Sequence, residues 1–178
     1  VWIDPETLEA GYKVIGDVKP RGICGSGIVD AVAHMYRANI IDHTGKWAIK
    51  LKHERIRINS EKIYEYVLAW KEETSINKDI VVTQPDVRAI QLVKATIATG
   101  IDVLCRYLNL KKEDIKRVFL AGAFGNYVDP QSARIIGMYP NVPLKNVRFI
   151  GNAAGIGAKL ALISRDVRRE AEELSKKI

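Results

Sequence analysis

The residues best suited to chemistry in this sequence are small ones, gathered in glycine-rich turns. Residues 117–126 read RVFLAGAFGN, where a short apolar run meets a cluster of small residues with one aromatic. The pattern predicts a buried strand that ends in a glycine turn. At the carboxyl end of a parallel strand such a turn lets backbone N–H groups approach a phosphate or a flat base. The alternative is that Gly122 and Gly125 only permit tight packing, and the motif alone does not decide between the two.

A second glycine-rich turn occurs at residues 22–27, which read GICGSG. Within this stretch Ile23 and Cys24 are expected to form a short strand that leads into the glycines, and apolar residues at helical spacing follow. Ser26, between Gly25 and Gly27, is placed to cap that helix, whose free N–H groups would favour an anion. The pattern is neither a P-loop nor a complete dinucleotide-binding fingerprint. Capping combined with close packing is therefore the alternative to phosphate contact.

No side chain qualifies as a catalytic acid, base or nucleophile. Asp86 and Asp129 each lie at the start of a predicted helix and are better interpreted as helix caps. Ser26 has no histidine at a spacing that would activate it. Cys24 and Cys105 stand far apart and cannot by themselves form a zinc site or an iron–sulfur cluster. The histidines share no spacing either, so no metal site is predicted.

The composition of the sequence limits the classes of partner that the protein can have. The 178 residues suffice for one domain with a sizeable core, and their net charge is +7. Acidic residues interleave with the basic clusters at residues 50–57, 111–117 and 165–177, which is typical of solvated helix faces, so no nucleic-acid partner is expected. No apolar stretch approaches the ~20 residues that a membrane helix needs. We therefore expect a soluble protein without a membrane partner, and cysteine usage that fits a reducing cytoplasm.

The rest of the chain predicts strands that alternate with helices. Strands are expected at residues 1–4, 12–15, 80–82, 118–120 and 147–150, the first two as a hairpin. A helix from Thr83 to about Leu108 and shorter helices after Asp129 and Gly151 separate the later strands. This order calls for right-handed crossovers and a largely parallel sheet. Residues 39–78 carry β patterns of their own and are interpreted as a small inserted lobe rather than core.

Four turn motifs follow one another in a fixed order. They are GICGSG at 22–27, TQPD at 83–86 ahead of the long helix, LAGAFGN at 120–126, and GNAAGIGA at 151–158. The series resembles the second half of the ATPase fold shared by actin, sugar kinases and heat-shock chaperones. In particular it resembles the ATP-dependent reductive activators of corrinoid proteins, over nearly the whole chain. Each motif alone is weak, but four motifs in order at matching intervals are specific.

The resemblance implies an α/β fold, a ribonuclease H-like lobe of the actin-like ATPase fold. That fold has a mixed sheet, helices on both faces and a small inserted β lobe. Residues 1–38 and 79–178 would form the second ribonuclease H-like lobe of the ATPase, and residues 39–78 the inserted subdomain. ATP with its magnesium would lie in the cleft between two such lobes.

The resemblance also assigns nucleotide contacts. In LAGAFGN the first glycine, the alanine after it and the phenylalanine would flank the base, and the asparagine would hold the turn or the sugar. Two polar residues of the long helix are matched to adenine and ribose, and the GICGSG turn would border the pocket. The cofactor-binding candidates are therefore Gly25, Ser26, Gly27, Gln91, Lys94, Gly122, Ala123, Phe124 and Asn126.

One departure from the family pattern concerns the phosphates. The two phosphate-binding turns of the fold, each a glycine turn after a strand aspartate, are not recognisable, and the closest stretch has Asp17 after Gly16. The iron–sulfur domain of the family is also absent. Because the sequence starts at Val1 with neither a methionine nor signal-peptide features, we expect a piece of a longer protein. Alone, the piece is expected to be inactive as an ATPase.

The function that the resemblance implies is reductive activation. The chain would be the ATP-binding lobe of a protein that couples ATP to one-electron reduction of a corrinoid protein, or of a corrinoid-dependent methyltransferase. An iron–sulfur cluster in a ferredoxin-like domain elsewhere in the full-length protein would supply the electron, and the remaining lobe would complete the ATP site. A homodimer is a further expectation. Two alternatives stay open, an activator of 2-hydroxyacyl-CoA dehydratase or benzoyl-CoA reductase type and a non-catalytic docking module.

Overall fold

The computed structural model describes residues 1–48 and 51–177, without the side chains of Ala123, Phe124 and Asn126. Lys50, the first residue of the first basic cluster, lies outside the described residues. The chain opens with an antiparallel hairpin of β1 (Trp2–Ile3) and β2 (Ala10–Gly11). The hairpin is confirmed, but its second strand comes earlier than residues 12–15. The carboxylate of Asp4 accepts the N–H groups of residues 6 and 7 at 2.9 and 2.8 Å, which closes the loop early.

The middle of the chain forms a three-stranded antiparallel sheet. Its strands are β3 (Ile56–Ile58), β4 (Tyr64–Ala69) and β5 (Ile80–Thr83), in the order β3-β4-β5. The central strand β4 is buried from Glu65 to its end. The prediction places residues 39–78 outside the core, yet β4 shares a sheet with β5, and the fully buried Tyr66 donates its hydroxyl to the Leu8 carbonyl at 2.8 Å. The boundaries of an inserted subdomain stay a prediction.

The long helix α2 (Gln84–Tyr107) begins where the TQPD motif predicts. Thr83 and Asp86 form a capping box. The Thr83 hydroxyl accepts the N–H of Asp86 at 3.3 Å, and the Asp86 carboxylate accepts the N–H of Thr83 at 2.8 Å. Both groups satisfy N–H donors that a helix start leaves unpaired. Asp86 is therefore a helix cap, and the buried Cys105 near the far end is a core residue, both as predicted.

The last third of the chain contains the parallel strands. β6 (Val118–Leu120) pairs in parallel with β7 (Val147–Phe149), and α3 (Gly122–Tyr127) and α4 (Pro130–Ile135) connect them. Asp129 caps α4 by accepting the N–H of Ser132 at 2.8 Å. Two helices follow β7, α5 (Ala153–Ile163) and α6 (Arg165–Ser175). The prediction of a largely parallel sheet is wrong for the described residues, because β3 to β5 lack the long crossovers that parallel pairing requires.

Helix α1 (Gly25–Arg37) lies at the centre of the molecule. Its buried residues Val29, Val32 and Met35 recur three residues apart and face the core. The helix packs against β1, α2, α3 and α4. Tyr66 of β4 belongs to the same cluster of buried side chains. One core therefore joins the N-terminal hairpin, the antiparallel sheet and the connection between β6 and β7.

The capping box predicts a measurable contribution to stability. Thr83→Ala removes the cap hydroxyl and should lower the free energy of unfolding by about 1 kcal/mol. Thr96→Ala is the matched control, because Thr96 is an exposed residue inside the same helix whose hydroxyl only contacts the Leu92 carbonyl. Urea denaturation followed by circular dichroism compares the two variants. Equal stability of both variants would show that the box contributes nothing.

Candidate functional site

The two glycine turns that follow β6 and β7 lie side by side. Because the strands are parallel and in register from Val118 with Val147, their carboxyl ends meet at one edge. The pairing continues beyond the strands. The N–H of Ile150 donates to the Leu120 carbonyl at 3.0 Å, and the N–H of Gly122 donates to the Gly151 carbonyl at 2.7 Å. The motifs at 120–126 and 151–158 therefore form one continuous edge.

Gly122 and Gly151 share a backbone conformation that few residues adopt. Their φ angles are +81° and +66°, in the left-handed region that favours glycine. Among the described atoms, a Cβ added to either glycine would meet nothing within 4 Å. Packing therefore does not account for these two glycines, whereas a Cβ on Gly125 would lie 3.0 Å from the backbone of Leu120. For Gly125 the tight-packing interpretation is favoured.

The start of α1 differs from the prediction. Residues 12–24 contain no strand, because the turn at Gly16 and Asp17, both with positive φ, and Pro20 interrupt an extended run. The helix begins at Gly25, and its cap is Cys24 rather than Ser26. The Cys24 thiol accepts the N–H of Gly27 at 3.4 Å. Sequence reasoning missed this cap because cysteine is not among the usual capping residues.

Ser26 and Gly27 instead contact the thiol of Cys24. The Ser26 hydroxyl lies 3.3 Å from the sulfur, and a Cβ on the buried Gly27 would come within 3.4 Å of it. The hydrogen bond from Ser26 is the main cause that lowers the pKa of the exposed Cys24 thiol, with a further contribution from the Gly27 N–H, while partial burial opposes the shift. A thiolate at a helix start is also favoured by the helix dipole.

The two candidates on α2 line a cavity of about 290 Å³ between α1, α2 and the end of α4. Gln91 is engaged there, because its amide nitrogen donates to the Thr44 carbonyl at 2.9 Å and its oxygen accepts from Arg88 at 2.6 Å. Lys94 lies over Gly137 at the end of α4. Among the described candidates, Gly25, Ser26, Gly27 and Gly122 do not line this cavity. The nucleotide contacts of Gln91 and Lys94 stay a prediction.

The remaining candidates are only partly visible. Ala123, Phe124 and Asn126 lie in α3, and the roles predicted for their side chains fall outside what the structure describes. Within residues 1–48 and 51–177, no three His, Cys, Asp or Glu side chains converge as a metal site would require. Among these same residues, no helix combines the length and apolar character needed to span a membrane.

These features define a class of protein. An actin-like ATPase lobe has this combination: a mixed α/β core, a long capped helix, and after it a parallel strand pair that ends in adjacent glycine turns. A family model described as the C-terminal domain of RACo, the ASKHA domain, matches residues 1–178. The chain therefore belongs to this family, which confirms the resemblance, and the ASKHA ATPase fold implies nucleotide binding.

Two relatives agree with the family. The corrinoid activation enzyme RamQ of Eubacterium limosum is 41% identical over 163 residues, which are 87% of this chain and 27% of that protein. A solved structure of a reductive activator for corrinoid, iron–sulfur protein superposes with a TM-score of 0.85 at 37% identity, covering 99% of this chain and 28% of that one. The chain thus spans about a quarter of the length of either relative.

The contacts of Cys24 predict a pH-dependent reactivity. Ser26→Ala removes the hydrogen bond that lowers the pKa of the thiol, so the pKa should rise toward its ordinary value and alkylation at neutral pH should slow. The rate of iodoacetamide labelling of Cys24 against pH, followed by peptide mass spectrometry, measures the midpoint. Ser175→Ala in α6 is the control, and an unmoved midpoint in Ser26→Ala would contradict the assignment.

Proposed function

We propose that this chain holds the base end of ATP within a longer activator protein. That protein would couple ATP binding and hydrolysis to the one-electron reduction of a corrinoid protein. The observation that carries the proposal is the edge formed by the turns after β6 and β7, where Gly122 and Gly151 combine a left-handed backbone with open space. Both relatives are named for the activation of corrinoid proteins, which supports this proposal.

The residues of this edge fit the base of a nucleotide. An adenine ring is flat, and a backbone without a Cβ lets it approach the peptide plane closely. At Gly122 no described atom lies within 4 Å of the position that a Cβ would fill, which leaves room for such an approach. The hydrogen bond from Gly122 to Gly151 holds both turns in place before any ligand arrives. In this proposal residues 122–126 flank the base and sugar, and α1 supports them from behind.

The described residues do not fit the phosphate end of the nucleotide. Magnesium prefers carboxylate oxygens, and no group of three acidic, histidine or cysteine side chains converges within the described part of the chain. Gly16 and Asp17, the nearest match to a phosphate turn, both have positive φ but follow no strand. We therefore assign the triphosphate and its magnesium to other parts of the full-length protein.

The electron must also enter from outside this chain. Cys24 is exposed and Cys105 is buried, and two such cysteines cannot ligate an iron–sulfur cluster. We assign the cluster to a ferredoxin-like domain of the same protein, and the corrinoid protein to a partner that docks on it. Bound ATP supplies the free energy for a reduction that is otherwise uphill. This lobe contributes a base site whose affinity depends on lobe closure, since differential affinity is what shifts a conformational equilibrium.

Substitution at Gly122 tests the base site. In Gly122→Val a β-branched side chain would occupy the open space, and ATP affinity should fall by more than about 100-fold, or ~2.8 kcal/mol. Valine at positive φ is also strained by about 1–2 kcal/mol, so a loss of stability is expected beside the loss of ATP binding. Isothermal titration calorimetry on the full-length protein gives the affinity.

Gly16→Val is the matched control for that experiment. Gly16 has φ +84° and open surroundings, so valine there meets the same backbone strain outside the two turns. Both variants should lose similar stability, but only Gly122→Val should lose ATP binding. Unchanged ATP affinity in Gly122→Val would remove the residue from the site, and equal losses in both variants would indicate a general effect of destabilisation.

Coupling to the corrinoid partner is tested by ATP hydrolysis. The full-length protein should hydrolyse ATP at least about fivefold faster with its corrinoid protein present, the lower end of usual coupling between two sites. An unrelated cobalamin-binding protein is the control. Stimulation by a 2-hydroxyacyl-CoA dehydratase in place of the corrinoid protein, or no stimulation by either, would count against the proposal.

A further inference from the structure

Helix α5 is apolar on nearly all sides and yet carries no buried side chain. Its sequence, AAGIGAKLALI, contains one charged residue, Lys159. Leu162 and Ile163 are 77% and 79% exposed. A helix that is apolar around its circumference is ordinarily buried, because each Leu or Ile side chain gains about 1.5–3 kcal/mol when it leaves water. The sequence of α5 thus matches an interior helix, whereas its surroundings are those of a surface helix.

The exposure extends through the whole end of the chain. Among the described residues none after Val142 is buried, although this stretch contains β7, α5 and α6. Ordering a residue costs about 1–2 kcal/mol of backbone entropy, which burial of apolar surface must offset. Contacts between α5 and α6 alone bury no residue of either helix. The segment therefore needs a further surface to pack against.

The β6–β7 pair has an open face as well. Phe119 is 52% exposed, and the Arg117 guanidinium lies 6.0 Å from the centre of the Phe119 ring. Arg148 lies opposite Phe119 on the neighbouring strand. Within the described residues β6 and β7 pair only with each other, so each strand keeps a free hydrogen-bonding edge. Parallel sheets are usually covered on both faces, and two strands alone are marginally stable. This sheet is therefore incomplete in the residues that the structure describes.

The comparisons indicate what covers these surfaces. The matched family is a C-terminal domain, and the match accounts for 27% and 28% of the two relatives. Nearly three quarters of each relative thus lies outside the match. Because the matched family is a C-terminal domain, we infer that this remainder precedes it in the polypeptide. A second copy of this chain or a separate protein has no comparable support, because no observation favours either.

We propose that α5 and the Phe119 face of β6–β7 pack against the preceding part of the same full-length polypeptide. The covering segment includes an extended stretch that pairs with a free edge of the two strands. It carries apolar side chains against Phe119 and Leu162, and carboxylates that pair with Arg117 and Arg148, because two guanidinium groups that lose water require acceptors. The inference rests on family membership and burial and is independent of ATP binding.

Cysteine labelling of the full-length protein tests this packing. Leu162→Cys should react with maleimide more than about tenfold more slowly than Glu72→Cys, because labelling of a covered site waits for local opening. Glu72 is the matched control, with a side chain 69% exposed in a loop of the antiparallel sheet. Peptide mass spectrometry quantifies each site separately from the native cysteines. Equal rates at both positions would overturn the proposal.

Two further measurements keep the test decisive. Protection of Leu162→Cys should persist when the protein is diluted to a concentration at which sedimentation shows a monomer. Protection lost on dilution would assign the cover to a second copy and overturn the proposal.

If Leu162→Cys does not fold, hydroxyl-radical footprinting of the unsubstituted protein compares Leu162 with Ile58, which is 55% exposed. Each rate is corrected by that of the unfolded protein. Leu162 should be the protected residue, and equal modification would contradict the packing.

Discussion

Burial of one face of α1 is the interaction on which the rest of the structure depends. Val29, Val32 and Met35 occupy the middle of the core, and the helix touches the N-terminal hairpin, α2, α3 and α4. These elements are far apart in the sequence, from β1 at residues 2–3 to α4 at residues 130–135, and α1 contacts all of them. The cluster also includes Tyr66, through which β4 and the hairpin loop are joined. A cavity in this helix face would loosen every one of those contacts together.

The parallel pairing of β6 with β7 turns this core into a candidate ligand site. Each strand ends in a glycine with a left-handed backbone, and the register places the two glycines in hydrogen-bond contact. Neither glycine is explained by packing, since the space above each is open. The site is nevertheless one-sided, because it offers backbone and small residues but no converging charged groups among the described residues. Such a surface suits a flat base better than it suits phosphates or a metal ion.

The distribution of burial agrees with a lobe that functions inside a larger assembly. The core is closed around α1, whereas α5, α6 and the Phe119 face of the strand pair remain exposed. The glycine turns lie at the boundary between these regions, since Gly122 follows β6 and Gly151 precedes α5. A segment that packs against the exposed helices would therefore also contact or constrain the elements that carry the turns. This proximity would give the proposed nucleotide binding and the proposed packing a shared mechanical basis.

The elements with strong local signals were predictable from the sequence. Thr83 with Asp86, and Asp129 ahead of Pro130, start helices through hydrogen bonds within four residues, and the apolar runs at 118–120 and 147–150 form the expected strands. The order of the four turn motifs also sufficed to identify the family. Tertiary structure alone decided that β4 pairs with β5, that Gln91 binds the Thr44 turn, and that Gly122 meets Gly151. Caps and strand propensity are local interactions that a few neighbouring residues specify. Strand partners, burial and the meeting of distant turns instead depend on many weak contacts between remote residues, which no short stretch of sequence contains.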